Sequence, residues 1–182
     1  MTVNITAKKL TKENWLTAGL ETLAQQGPQA LKAEPLSRAL NTTKGSFYWH
    51  FKDVPAFQSE ILEIWATQAT EYFVQHLAME TTAPLQLRRL GHPSESSGSS
   101  TPLDLEAAMR AWAIGDHTVS NVIAKVDTQR TRYLTDLLKQ LGVTDESFAV
   151  VLYGAWVGLH MQKHKRKDQA METLVDLILA LR

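Results

Sequence analysis

Apolar positions recur along this 182-residue chain at the three-and-four spacing of helices, and no stretch alternates as a strand does. From Thr11 to Gln26, Leu16, Leu20, Leu23 and Ala24 share a face beside Trp15, and Gly27-Pro28 closes the pattern. A second, shorter helix carries Pro35 in its first turn and Leu36 and Leu40 four apart. Asn41-Thr42 interrupts it, and Asn tolerates the left-handed backbone that a sharp turn between helices needs. A third helix places Phe47 and Phe51 on one face while Gly45, Ser46, Tyr48, Trp49 and Lys52 point elsewhere. Asp53 is positioned to cap a long fourth helix with Pro55 in its first turn. Along that helix Phe57, Ile61 and Ile64 line one face, and Leu62, Trp65, Ala69, Tyr72 and Phe73 a neighbouring one.

Beyond it the pattern predicts a helix over 84–90, then a flexible linker at 91–102 with five serines, two glycines and two prolines. Helical spacing resumes at 103–113, at 117–125 and at 127–141, where Gly142 ends it. A wide apolar band over 145–163 holds Phe148, Val151, Leu152, Ala155, Trp156 and Leu159, with Gly154 and Gly158 four apart inside it. A basic break at Lys163-His164-Lys165-Arg166-Lys167 precedes a last amphipathic helix built on Met171, Leu174, Val175, Ile178, Leu179 and Leu181. The expectation is an all-α protein of about nine helices. Residues 1–53 form a three-helix helix-turn-helix domain, and residues 54–182 a helical body.

The third helix carries the chemistry. A short helix that buries two Phe while showing Tyr, Trp and Lys to water suits a DNA groove, where basic and hydroxyl groups hold phosphates and small residues permit close approach to bases. The charge distribution agrees. Residues 1–52 hold seven Lys and Arg against three acids, a net +4, and the remainder holds twelve bases and sixteen acids, a net −4. The chain has no cysteine, which excludes disulfides and thiolate metal sites. No apolar run resembles a signal peptide or spans a bilayer, so a cytoplasmic protein without a membrane partner is expected. Phosphate loops, nucleophile elbows and zinc-protease motifs are absent, so neither enzymatic activity nor a cofactor is expected.

The run Lys44-Gly45-Ser46-Phe47-Tyr48-Trp49-His50-Phe51-Lys52-Asp53 closely resembles the recognition-helix signature of the TetR family of bacterial transcriptional repressors. The stretches Glu106-Ala107-Ala108-Met109-Arg110-Ala111-Trp112-Ala113 and Val126-Asp127-Thr128-Gln129-Arg130, with Tyr133-Leu134, resemble the sensing half of one subgroup. That resemblance implies a homodimer reading a palindromic double-stranded DNA operator and released by a small effector. It places Thr43, Lys44, Gly45 and Ser46 against bases or adjacent phosphates, with Thr42 beside them, and Tyr48, Trp49, His50 and Lys52 on the backbone. The second helix opens Ala33-Glu34-Pro35, without the Ser or Thr cap common in the family. Glu34 either favours the helix N-terminus or accepts from a cytosine, and Arg38 is the remaining basic candidate there.

Each glycine inside a helix costs about 1 kcal/mol, so Gly154 and Gly158 imply close approach of another helix. By pattern alone the last two helices either close their own core or pair with a twin; the resemblance favours a four-helix dimer interface through Val151, Gly154, Ala155, Gly158, Leu174 and Ile178. A mainly apolar or aromatic effector pocket is expected from Trp65, Met109, Trp112, Phe148 and Trp156, with His117, Asn121 and Arg110 as polar anchors. The competing functions are a metal-responsive protein, through His160, His164 and Asp168 at four-residue spacing, and a free-standing small-molecule binder.

Overall fold

The computed structural model describes residues 10–92, 105–162 and 165–181. Among them are nine α-helices and no strand: α1 (Lys12–Gln26), α2 (Ala33–Ala39), α3 (Lys44–His50), α4 (Val54–Ala78), α5 (Ala83–Arg88), α6 (Glu106–Ala113), α7 (His117–Gln140), α8 (Ser147–Met161) and α9 (Lys167–Leu179). Short 3-10 turns follow α1 at Pro28–Ala30 and α5 at Arg89–Gly91.

Local chemistry sets the boundaries of the first four helices. Thr11 and Asn14 form a reciprocal capping box at the start of α1, and Gly27 at φ 78° closes it. Asn41 adopts φ 49°, so the α2–α3 turn is left-handed as its sequence predicts. Thr43 caps α3 by accepting from the Ser46 amide, and Asp53 caps α4 by accepting from the Ala56 amide at 2.8 Å. Asp116 does the same for α7 through the amides of Thr118 and Val119.

Two buried clusters organise the molecule. The first begins in the head, where the rings of Trp15, Phe51 and Phe57 surround that of Phe47 with centroids 5.1–5.4 Å away. It runs without a break through Ile61, Trp65 and Ala69 of α4 to Met109 of α6 and Val119, Ile123 and Val126 of α7. Head and upper body therefore share one core. The second cluster joins Phe73 and Leu77 of α4 to Leu87 and Leu90, and to the inner faces of α7, α8 and α9. Backbone approach is closest at two glycines. A Cβ on Gly19 would lie 2.5 Å from the Phe57 ring, and one on Gly91 would lie 3.1 Å from the Asp168 carbonyl.

Two sequence expectations need correcting. The segments 117–125 and 127–141 are one continuous helix, α7, because Val126 is buried and extends the stripe Val119, Ile123, Val126, Arg130, Leu134, Leu137 and Leu138 without a breaker. The helix expected over 84–90 ends at Arg88 and passes into the 3-10 turn. Most of the expected linker at 91–102 lies outside the described residues, as do Lys163 and His164 of the basic break.

Candidate nucleic-acid interface

Phe47 is fully buried at the centre of the head, and that anchor fixes which side of α3 faces out. Four residues later Phe51 is buried as well, so the remaining face is presented to solvent. Trp49 is 88% exposed, about as open as a residue in an isolated peptide, and Tyr48 is 54% exposed. Thr43, Lys44, Gly45 and Lys52 are exposed too, while Thr42, Ser46 and His50 are half-buried. A Cβ on Gly45 would meet nothing closer than the Thr43 hydroxyl at 3.6 Å, so the absent side chain keeps the front of the helix low.

The structure gives three of these residues internal roles. Thr43 is the cap of α3. Arg38 on α2 pairs with Glu34, one turn earlier on the same helix. Lys44 Nζ lies 2.7 Å from the other carboxylate oxygen of Glu34, which ties the first turn of α2 to the first turn of α3. These two cations hold the Glu34 carboxyl below its ordinary pKa, Lys44 with the larger effect. Lys12, 2.7 Å from Glu60, joins α1 to α4 behind the same surface.

The expected effector residues are not brought together. Trp65 and Met109 are fully buried in the first cluster with Trp112 at its edge; Trp156 is buried in the second with Phe148 at its edge. His117 and Asn121 are exposed on the first turns of α7. A cleft of about 470 Å³ lies instead between α4 and α7, floored by Leu62, Ala66, Val122 and Val126 and rimmed by Ser59, Thr67, Thr70 and Thr118.

Arg110 belongs to an ionic lattice, buried at Glu106 and Arg130 and half-buried at Arg110 and Asp127, that sequence reasoning missed. It donates to both oxygens of Asp127, at 3.1 and 2.7 Å, and to Glu106 at 2.6 Å. Arg130, with no exposed surface, donates to the other Glu106 oxygen at 3.0 Å, to the Tyr153 hydroxyl at 3.2 Å and to the Ala69 carbonyl of α4 at 2.9 Å. Its guanidinium sits 5.4 Å from the ring centroids of Phe73 and Trp156. Tyr153 donates to Asp127 at 2.7 Å. Burial opposes the Arg110 charge, but the hydrogen bond to Asp127 and the charges of Glu106 and Asp127 outweigh it and raise its pKa; burial raises that of Tyr153. The available signal was the i,i+4 pair Glu106/Arg110 and the i,i+3 pair Asp127/Arg130.

On the outer side of α8 and α9, Val150 is 61% exposed, Val151 53% and Leu177 62%. Among the described residues, a Cβ on Gly154 or Gly158 would meet no atom within 4 Å beyond the neighbouring backbone of its own helix. Ala155 and Leu174 are half-buried beside them, whereas Ile178 is buried in the chain's own core. Of the expected metal group, His160 and Asp168 are described and His164 is not; no cluster of potential ligands occurs among the described residues. No helix there is long and apolar enough to cross a membrane.

Residues 16–53 match the sequence profile of the bacterial regulatory proteins of the tetR family. The head of the chain thus resembles the DNA-binding segment of that family. The HTH-type transcriptional regulator AcrR of Shigella flexneri is 32% identical over 89 residues, which are 48% of this chain and 41% of AcrR, so the match spans under half of that relative. The whole described fold matches a TetR-family transcriptional regulator from Rhodococcus sp., with a TM-score of 0.73 at 17% identity, covering 92% of this chain and 98% of that one. It also matches the reduced form of NemR from E. coli, with a TM-score of 0.66 at 18% identity, covering 93% and 94%. The family profile thus covers the head, and the likeness of the body to these solved structures is one of fold. TetR-family proteins are transcription regulators and not enzymes.

Proposed function

We propose that this protein is a homodimeric repressor of the TetR family that binds a palindromic operator through a pair of α3 helices and leaves it when a small effector occupies the body. The observation that carries the DNA-binding part is the orientation of α3: Phe47 locks it from behind, and Tyr48, Trp49, Lys44 and Lys52 stand on the open side. Tyr48, His50 and Lys52 hold phosphates, while Gly45 and Ser46 let the first turn approach base edges. The dimer is supported by the apolar face of Val150, Val151, Gly154, Gly158 and Leu177, whose glycines leave room that none of the described residues fills.

Effector control is supported by the cleft between α4 and α7, whose volume falls within the range of small-molecule sites. It flanks the helix whose N-terminal half is built into the head. A ligand that prefers one spacing of α4 and α7 changes DNA affinity by its differential affinity for the two arrangements.

The test is selection of genomic DNA fragments by the purified protein, followed by gel shift of the recovered sequence. Wild-type protein retains a palindromic sequence, and Tyr48→Ala combined with Lys52→Ala abolishes binding with helicity and dimer mass unchanged. Retention of full affinity by that double variant refutes the assignment of α3.

A further inference from the structure

A groove of about 450 Å³ runs between α2 and α3 beside the DNA-facing surface. Its walls carry Lys32, Arg38 and Lys44, with the Tyr48 ring at one side. Three cations and a phenol are donors suited to phosphate oxygens. The groove also contains one carboxylate, Glu34, and that carboxylate is engaged by two of the three cations: one oxygen with Arg38, the other with Lys44 at 2.7 Å. The groove is thus an anion cradle holding an anion of its own.

We infer that the Lys32–Arg38–Lys44 groove is a DNA-phosphate site and that Glu34 is its built-in competitor, restraining binding to DNA of any sequence. This inference rests on the DNA-binding role of α3 and adds to it a residue that sets affinity and discrimination. A phosphate entering the groove takes the place of the Glu34 carboxylate on Lys44 and Arg38. All groups concerned are exposed, so the exchange breaks only solvated ion pairs, each of small net value. The carboxylate nevertheless subtracts from the electrostatic gain of every DNA complex. That gain dominates binding to non-cognate sequence, whereas a cognate site adds base contacts that Glu34 leaves untouched. A restraint on the phosphate-driven part therefore raises the ratio of specific to non-specific affinity.

The test is Glu34→Gln, measured on the selected operator and on a random-sequence duplex across a salt series, with Glu21→Gln as a control that removes the same charge from α1. Each phosphate newly neutralised adds about 0.9 to the slope of log affinity against log salt. Removing the single carboxylate leaves one more phosphate to be neutralised and steepens the slope by about 0.9, which makes the advantage of the variant over wild type about three- to fourfold larger at 50 mM than at 200 mM salt. The expected result is tighter random-duplex binding, the steeper slope and a smaller operator preference, with Glu21→Gln close to wild type. An unchanged slope overturns the inference. Weaker binding to both duplexes overturns it in favour of Glu34 as a positioning residue for Lys44. Loss of preference at a single operator base, with the random duplex unaffected, overturns it in favour of a cytosine contact. If wild-type protein binds neither duplex even at low salt, the DNA-binding role itself has failed.

Discussion

Replacing Glu106 with Gln keeps the shape of the side chain and removes its charge. In the folded protein Glu106 is 4% exposed and accepts from two guanidinium groups, Arg110 at 2.6 Å and Arg130 at 3.0 Å. The lattice is neutral as built, with Arg110 and Arg130 balanced by Glu106 and Asp127. Asp127 stays with Arg110 in the variant, which leaves the uncompensated charge on Arg130, a side chain that no water reaches. The new amide also turns an NH2 donor toward one of two groups that can only donate. Removing one partner of a buried pair costs about 3–5 kcal/mol. For a chain of this length each kcal/mol lowers the Tm by about 2–4 °C, so the expected loss is about 6–20 °C.

Thermal unfolding followed by circular dichroism measures it, at one fixed protein concentration because any self-association makes the Tm concentration-dependent. Combining Glu106→Gln with Arg130→Met restores neutrality and places an apolar chain between Phe73 and Trp156. The double variant is therefore less destabilised than the sum of the two single variants, by about 1–3 kcal/mol. Glu71→Gln on the exposed side of α4 stays within about 0.5 kcal/mol of wild type. If Glu106→Gln and Glu71→Gln move the Tm equally, or the double variant shows simple additivity, the lattice is energetically inert and the reasoning fails.

Gly158→Leu fills the open side of α8, where a Cβ meets nothing among the described residues; in the proposed dimer each protomer contributes an overpacking cost of about 1–3 kcal/mol, so dimer affinity falls at least about thirtyfold, and sedimentation at micromolar concentration detects a folded monomer. Gly19→Ala drives a methyl to 2.5 Å from the Phe57 ring and 2.8 Å from Ile61; the overpacking cost of about 1–3 kcal/mol exceeds the helix-propensity gain of about 1 kcal/mol, and denaturant unfolding detects a net loss. Burial lowers the pKa of His160, with Lys167 acting the same way against Asp168 and Glu106, and burial also lowers that of His76. Both histidines are held neutral in the fold and take up protons more readily when it opens. Stability is therefore fully present above the unfolded value of about 6.5 and declines as pH falls through it toward the folded values. The Tm accordingly drops between pH 7.5 and pH 5.5, and His160→Gln flattens that profile.

What could be read from the sequence was whatever a few neighbouring residues decide. The Asp53 cap, the left-handed Asn41 and the burial of Phe47 and Phe51 follow from side chains acting within one or two turns. The outward face of α3 followed too, because two buried rings four residues apart leave little choice for the others. What could not be read depends on partners far along the chain. Arg130 falls on the apolar stripe of α7, and only the arrival of Glu106 from α6, Tyr153 from α8 and the Ala69 carbonyl from α4 makes a buried arginine tolerable there. The aromatic residues expected around one pocket divide between two cores for the same reason: periodicity gives a face and not the helix that covers it. Glu34 was read through its own helix, whereas its second partner, Lys44, comes from the next one.

The continuity of the first core bears on how the body can influence the head. Phe57 and Ile61 at the start of α4 pack with Trp15 and Phe47, while Trp65 and Ala69 on the same helix belong with Met109, Ile123 and Val126. A hinge between residues 53 and 54 would have to tear those contacts, so the head follows α4 more readily than it swings about its junction. Motion of α4 is in turn restrained where Arg130 holds the Ala69 carbonyl and where Phe73 stacks against the same guanidinium. In the proposed effector response the lattice is the fixed end and the head the moving end, and the cleft at Ala66, Thr70, Val122 and Val126 lies between them. A ligand there can act by tilting the head-proximal half of α4 about the Arg130 clamp. To lower operator affinity a hundredfold it must prefer the tilted form by about 2.7 kcal/mol, within what a small molecule filling a cleft of this size can supply.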